Sequence, residues 1–258
     1  VDFIVGSGHH TNSHLWEEGG YVHQMPFTYY TQDGHLDFPP GFEDGYNSRF
    51  SRKIGLECMS CHNATPDFVL GSENKYYNVP EGIDCERCHG PGELHVQRML
   101  NGELVDTSTN IDYSIVNPNK LSLEAQFQIC MRCHLQGNTV LSEGKSFLDF
   151  KPGMELSEVM TVFVPRYEND NTFIMASHVD RLKQSACFTN SEMNCITCHN
   201  PHHSVQKESP NFFNDKCLSC HDNCKDEFRE NDNCIACHMP SSKTIDIPHV
   251  SIHDHKIG

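Results

Sequence analysis

Apolar positions along this 258-residue chain are sparse and seldom periodic. The clearest helical pattern is "NTFIMASHVDRLKQSACF", in which Ile174, His178 and Leu182 recur at i, i+4 spacing on one face. It predicts a helix over 173–186, and a second short helix is expected over 122–134. "MTVFVP" at 160–165 reads as a short strand, and "ENDNT" at 168–172 as a loop or helix cap. Residues 1–57 carry turn signals rather than periodicity. "GHLDFPPGFEDGY" is rich in Gly, Pro and aromatics and predicts a turn-rich wrap. No apolar run approaches the roughly 18 residues that a membrane span requires. The expected architecture is mainly irregular, with short α-helices and few strands.

Composition sharpens that picture. Hydrophobic residues make up 37% of the chain and mean hydropathy is −0.54, lean for a protein that must bury a core. Something other than Leu and Val is expected to fill the interior. Lys and Arg total 19 against 35 Asp and Glu, a formal charge of −16, which argues against nucleic acid or an anionic membrane as partner. The sequence starts at Val1 with no signal peptide, and is expected to be a mature, processed chain or an interior fragment of a longer one.

The cysteines change the picture most. Six copies of Cys-x-x-Cys-His occur: Cys58–Cys61–His62, Cys85–Cys88–His89, Cys130–Cys133–His134, Cys195–Cys198–His199, Cys217–Cys220–His221 and Cys234–Cys237–His238. Random placement of 14 Cys and 18 His would give about 0.05 copies of this motif. A zinc site uses CxxC pairs but does not need a His after every second Cys. A redox dithiol needs one CxxC. Covalent haem accounts for every letter: two thiols form thioethers to the vinyl groups, and the adjacent His is the proximal iron ligand. Six covalently bound haem c groups are expected.

Twelve cysteines are used in this way, leaving Cys187 and Cys224, which read equally as a disulfide or as two separate buried thiols. Twelve histidines remain as sources of the second axial ligand, ample for six irons. The expected distal ligands are His10, His95, His178, His202, His249 and His255. His95 follows the Gly90-Pro91-Gly92 turn, His178 lies on an apolar helix face, and His202 is held off from His199 by Pro201. His249 and His255 lie in the tail "IPHVSIHDHKIG", and Gly6 and Gly8 beside His10 would permit close backbone approach to a porphyrin. His9, His14 and His203 are reserves, while His23, His35 and His253 read as surface or propionate partners. Met25, Met99, Met154, Met160, Met175 and Met193 read as gap-fillers against haem faces. Bis-His ligation implies low potentials.

The motifs divide the chain. Residues 1–57 form an N-terminal haem-wrapping segment, 58–134 a three-haem segment, 135–194 a connector with a His-bearing helix, and 195–258 a compact three-haem segment with a His-rich tail. In the last, 17 and 12 residues separate successive motifs, short enough to set neighbouring porphyrins side by side. The haem stack then serves as the core. Propionates and ferric irons would bring the net charge to about −22. "ENDN" occurs at 168–171 and 230–233, and reads as a solvated acidic loop, with a calcium site as the alternative.

"GIDCERCHGPGELHV", "CITCHNPHHSV", "CHMP" and "DIPHVSIHDH" resemble the multihaem c-type cytochromes related to the tetrahaem carriers of ammonia oxidisers and the octahaem reductases. The likeness is strongest to exported multihaem cytochromes often joined to tetratricopeptide repeats, and it spans most of the chain. It implies a periplasmic or extracellular location and distal ligation by His10, His95, His178, His202, His249 and His255. It also implies a further haem motif upstream and chain continuing beyond Gly258. Two functions compete. One is an electron conduit with redox protein partners, with possible self-assembly into an extracellular cytochrome filament or oligomer. The other is a reductase or oxidase of a small nitrogen or sulfur oxyanion at a five-coordinate haem, with Tyr29, Tyr30, His23 and His35 as pocket candidates. Spare histidines outnumber irons, so the conduit is favoured over an enzyme.

Overall fold

The computed structural model describes residues 1–43, 45, 47–209, 211–221 and 233–258, in two units, Val1–Pro165 and Arg166–Gly258. Where the turn signals predict a wrap, the first unit begins with a sheet. Strands β1 (Phe3–Val5), β2 (Thr11–Glu18), β3 (Tyr21–Tyr30), β4 (His35–Asp37) and β5 (Arg52–Lys53) form it, with β5 pairing β3. The cause is local. Gly19 and Gly20 have φ of 60° and 89°, the left-handed pair that a two-residue antiparallel hairpin demands. A Cβ on Gly20 would sit 2.8 Å from the Tyr76 carbonyl oxygen, so the turn also presses on its neighbour. Along β3, Val22, Gln24, Thr28 and Tyr30 are buried, and Tyr30 donates its hydroxyl to the Phe38 carbonyl at 2.6 Å.

The rest of this unit is short elements: α1 (Leu56–His62), β6 (Asp67–Phe68), β7 (Tyr76–Asn78), α2 (Glu86–His89), α3 (Glu93–Leu100), α4 (Leu123–His134), β8 (Asn138–Leu141) and β9 (Met160–Phe163). Helix α4 occupies the expected span because Ser122 caps it, its hydroxyl accepting from Ala125 N–H at 3.3 Å. The "MTVFVP" strand is β9, paired antiparallel with β8. Two apolar clusters anchor the unit. Leu15, Val22, Ile54, Met59 and Tyr76 seat α1 against the sheet, and Phe150, Leu156, Val159 and Met160 take up Met131 of α4.

The second unit holds α5 (His178–Leu182), α6 (Ala186–Thr189), α7 (Cys195–Cys198), α8 (Phe212–Leu218), α9 (Cys234–His238) and a hairpin of β10 (Ser241–Lys243) with β11 (Ser251–His253). The helix expected over 173–186 is shorter than its pattern. The Met175 N–H donates to Asp246 Oδ1 at 2.9 Å and the Phe173 carbonyl accepts from Ile245 N–H at 3.3 Å, so backbone groups a helix would use are committed elsewhere. At the other end Ser185 caps a separate turn, accepting from Phe188 N–H. Ile174 therefore lies outside the helix that carries His178 and Leu182. Arg181 grips Asp254 side-on, Nε to Oδ1 at 2.8 Å and Nη2 to Oδ2 at 2.5 Å, with both side chains largely buried, and so fastens the tail to α5. Asp170 in the first "ENDN" copy accepts from Arg181 Nη1 through its carbonyl at 2.7 Å. Glu230, Asn231 and Asp232 of the second copy lie outside the described residues, as does Cys224 and with it any pairing to Cys187.

Candidate functional site

Each CxxCH segment is one helical turn: within α1, across α2, at the end of α4, at α7, at the end of α8 and within α9. A helical turn sets residues i and i+3 on one side and i+4 just beyond, so both thiols face one way with the imidazole next to them. The histidine N–H closes the turn onto the first cysteine's carbonyl at 2.9 Å for His89, 2.9 Å for His199 and 3.0 Å for His221. Asparagine caps start two of these turns at their first cysteine. Asn194 accepts from Thr197 N–H at 3.0 Å and Asn233 from Ala236 N–H at 3.2 Å.

In the first unit the three turns are hydrogen-bonded in a closed ring. Arg87 donates through Nη2 to the Ser60 carbonyl, Arg132 donates through Nη1 to the Arg87 carbonyl at 3.4 Å, and the Cys61 thiol lies 3.5 Å from the Arg132 carbonyl. Ser60, Arg87 and Arg132 are buried at 3%, 6% and 8% exposure. Cys61 and Cys133 are within hydrogen-bonding reach, and a bond from the Cys133 thiol holds that of Cys61 well down, to about 6, while Cys133 is raised in turn. Sequence reasoning missed both arginines. Their signal was the repeated Arg immediately before the second Cys, in "CERCH" and "CMRCH". In the second unit the Cys217 thiol is within hydrogen-bonding reach of Cys234, and burial chiefly raises Cys217 to about 11.

The candidate distal histidines fall into different settings. His178, His199 and His255 cluster, the His178 and His255 rings 4.7 Å apart and His199 and His255 6.2 Å apart. His95 has Nδ1 3.0 Å from Asp112 Oδ2 and 3.1 Å from Ser114 Oγ. His10 is half-buried, 4.4 Å from the His9 ring and 3.0 Å from the Gln32 amide, and burial followed by His9 lowers its pKa. His249 is half-buried at a φ of 60°, and His202 is exposed. Among the expected surface residues, His23 stacks on Trp16 at 5.1 Å and reaches Asn74, and His253 Nδ1 lies 2.6 Å from the Met239 carbonyl. Among proximal candidates, His89 Nδ1 lies 2.8 Å from the Val116 carbonyl and His238 Nδ1 faces that of Gly258. A carbonyl or carboxylate at Nδ1 fixes the ring and directs Nε2 outward, the usual arrangement behind a metal-ligating imidazole. Gly6 has a reason of its own: at φ 116° a Cβ there would meet the Thr11 carbonyl oxygen at 2.4 Å, so the β1–β2 turn itself demands glycine. Of the pocket candidates, Tyr30 and His35 stand opposite each other on β3 and β4 with rings 6.3 Å apart, and Tyr30 is fully buried and donates its hydroxyl to the Phe38 carbonyl.

These residues fit covalently held haem. None of the 13 described cysteines, nor any of the 18 histidines, is buried, although Cys is among the residue types most often inside. Apolar side chains around the turns also lack protein cover: Ile196 is 40% exposed, Leu218 48%, Ile83 54% and Leu100 82%. Thiols, imidazoles and apolar side chains are thus exposed together at the attachment turns, as covalent attachment of a porphyrin requires.

Six such turns define a multihaem c-type cytochrome, with haem c attached through thioethers. Comparison with known proteins agrees. Residues 43–90, which include the first two CxxCH turns, match the family model described as cytochrome c554 and c-prime. Over 188 residues the chain is 24% identical to the multiheme cytochrome MtrA of Shewanella baltica (strain OS185), covering 67% of this chain and 54% of that protein. The chain thus spans about half the length of the curated relative it matches. Among solved structures it is similar to the outer cell wall cytochrome OcwA, with a TM-score of 0.43 and 16% identity over 79% of this chain and 45% of that one. It is also similar to an undecaheme cytochrome from the S-layer of Carboxydothermus ferrireducens, with a TM-score of 0.36 and 15% identity over 86% and 36% of the two chains. Among the described residues no helix is long and apolar enough to cross a membrane.

Proposed function

We propose that this chain is a hexahaem electron-transfer conduit, exported to the periplasm or cell exterior, whose haem stack completes its core and whose partners are redox proteins. The observation that carries the reading is the direct bonding of attachment turns to one another. Arg87 reaches the first turn and Arg132 the second, with no intervening element, so groups attached there would be near neighbours. When bound, haem supplies reversible one-electron chemistry at iron.

The chain's residues have distinct parts in this reading. The cysteine pairs at 58/61, 85/88, 130/133, 195/198, 217/220 and 234/237 tether, and His62, His89, His134, His199, His221 and His238 are the proximal ligands. His10, His95, His178, His202, His249 and His255 are the proposed distal ligands. The carboxylate and hydroxyl at His95 Nδ1, and the gathering of His178 with His255 beside His199, support the choice. Full occupancy of both axial positions leaves no iron open to a substrate, which favours transfer over activation. Assembly into a filament is the structural variant of this proposal, tested by electron microscopy of native material.

The functional test is a ferric optical and EPR titration with cyanide, nitrite and hydroxylamine. The expected result is low-spin iron throughout, unmoved by all three. A high-spin signal that shifts on addition would overturn the conduit and leave the oxyanion reductase or oxidase as the better account.

A further inference from the structure

At the junction of the three turns in the first unit, two cations are buried side by side. Arg87 and Arg132 are 6% and 8% exposed. Guanidinium groups keep their charge at every accessible pH, and burying one costs several kcal/mol unless an anion compensates it. Among the described residues neither forms an ion pair. The ionisable groups facing the two are the carboxylate of Asp84, towards Arg87, and the thiols of Cys61, Cys88 and Cys133. Those thiols belong to attachment motifs. Once converted to thioethers they have no proton to lose and can carry no negative charge.

The second observation is at the Arg132 head group. Its Nη1 donates to the Arg87 carbonyl at 3.4 Å and its Cζ lies 5.8 Å from the centre of the Phe150 ring. Its Nε and Nη2 are buried and have no hydrogen-bond partner among the described residues. These two donors lie along one edge of the guanidinium, the fork that takes a carboxylate side-on. The same chain uses that fork elsewhere: Arg181 holds Asp254 by its Nε and Nη2. The Arg132 fork has the donors for such a partner, and none of the described residues supplies one. Among the described residues, Asp84 is the carboxylate that faces this pair, and it faces Arg87 rather than the Arg132 fork.

We propose that Arg87 and Arg132 form a buried cradle for the propionate carboxylates of the haem groups attached at these turns, with the Arg132 fork binding one carboxylate bidentately. The proposal rests on haem attachment at residues 58–62, 85–89 and 130–134. The anion arrives with the group whose attachment removes the ionisable thiols. The buried positive charge of the apo chain is thereby compensated on maturation. A porphyrin propionate and a small anion from solution share this chemistry, and the test separates them.

The test uses the holoprotein, its Arg132→Gln and Arg132→Lys variants, intact-mass analysis and spectroelectrochemical titration. Intact mass of the wild type checks attachment first; missing haem at these turns would sink the underlying reading rather than this one. With six groups in place, Arg132→Gln is expected to shift at least one component to lower potential and make it more pH-dependent, because an uncompensated propionate stabilises ferric iron and becomes able to titrate. Arg132→Lys, which keeps charge but loses the fork, should recover part of the shift. A Gln variant that is merely less stable, with unchanged potentials and pH dependence, would overturn the proposal. A measurement on the wild type alone covers the case in which the variants fail to mature. Raising inorganic phosphate at constant ionic strength should leave the potentials still, and a phosphate-dependent shift would assign the cradle to a solution anion instead.

Discussion

The attachment turns of the two units are chemically identical and structurally unlike. In the first unit the residues between the cysteines, exposed Glu86 apart, are part of the protein interior: Met59 is 1% exposed, Ser60 3%, Arg87 6% and Arg132 8%, and Met131 packs into the cluster around Phe150. In the second they face outward: α7 and α9 bury no residue, and Ile196 and Leu218 are 40% and 48% exposed. The first unit seats its turns on a sheet and two apolar clusters. Among the described residues the second has a few buried apolar side chains, Phe173, Val179, Leu182, Val250 and Ile252, and one buried ion pair, Arg181 with Asp254. On the proposed reading, the same motif is an ornament on a protein core in the first unit and a substitute for one in the second. Tight spacing explains the difference, since 17 and 12 residues between motifs leave little chain with which to build an interior.

That contrast can be broken or sharpened by experiment. The largest effect is expected from withholding haem. Produced without attachment, the second unit should lose its structure and be digested by protease, while a fragment ending near residue 165 survives; equal protection of both units would erase the contrast. Next is the ion pair that holds the tail. Asp254→Ala leaves Arg181 buried and unpaired, and should cost about 3–5 kcal/mol in denaturant unfolding of the holoprotein. Its pH dependence has a definite sign. Burial alone would raise Asp254, but the hydrogen bonds from Arg181 bring it below the ordinary carboxylate value. The pair's stabilisation is thus complete above about pH 4 and is lost as pH falls through the lowered native value. An Asp254→Asn variant should flatten that acid limb of a stability–pH curve.

Truncation of side chains between the cysteines makes the comparison direct. Met59→Ala in the first unit should cost about 2–5 kcal/mol whether or not haem is attached, because its cavity opens in a protein core. Ile196→Ala and Leu218→Ala should be nearly neutral in the apo chain and cost about 1–3 kcal/mol in the holoprotein, because only a covering porphyrin would bury them. Equal, negligible costs in both states would mean that nothing covers the second unit's apolar turns.

Much of the site was legible in the sequence, because CxxCH states its own local geometry: a helical turn fixes where two thiols and an imidazole go. Helix α4 and strand β9 were legible too, since a Ser cap and a β-branched run act through neighbouring residues. What escaped was set by longer reach. The sheet over residues 3–53 turned on a Gly19-Gly20 hairpin amid louder turn signals. The helix over 173–186 was cut short by hydrogen bonds to residues 245 and 246, which no local pattern reveals. Arg87 and Arg132 sat in plain view inside two motifs, but their importance comes from three turns meeting, 27 and 45 residues apart along the chain.

The central claim is that six tethered haem groups complete this fold and serve as its relay, and intact-mass analysis of the native polypeptide tests it most directly. Six haem additions on one chain is the result the account predicts. Fewer than six on fully matured protein, with the corresponding cysteines recovered as free thiols, would contradict it.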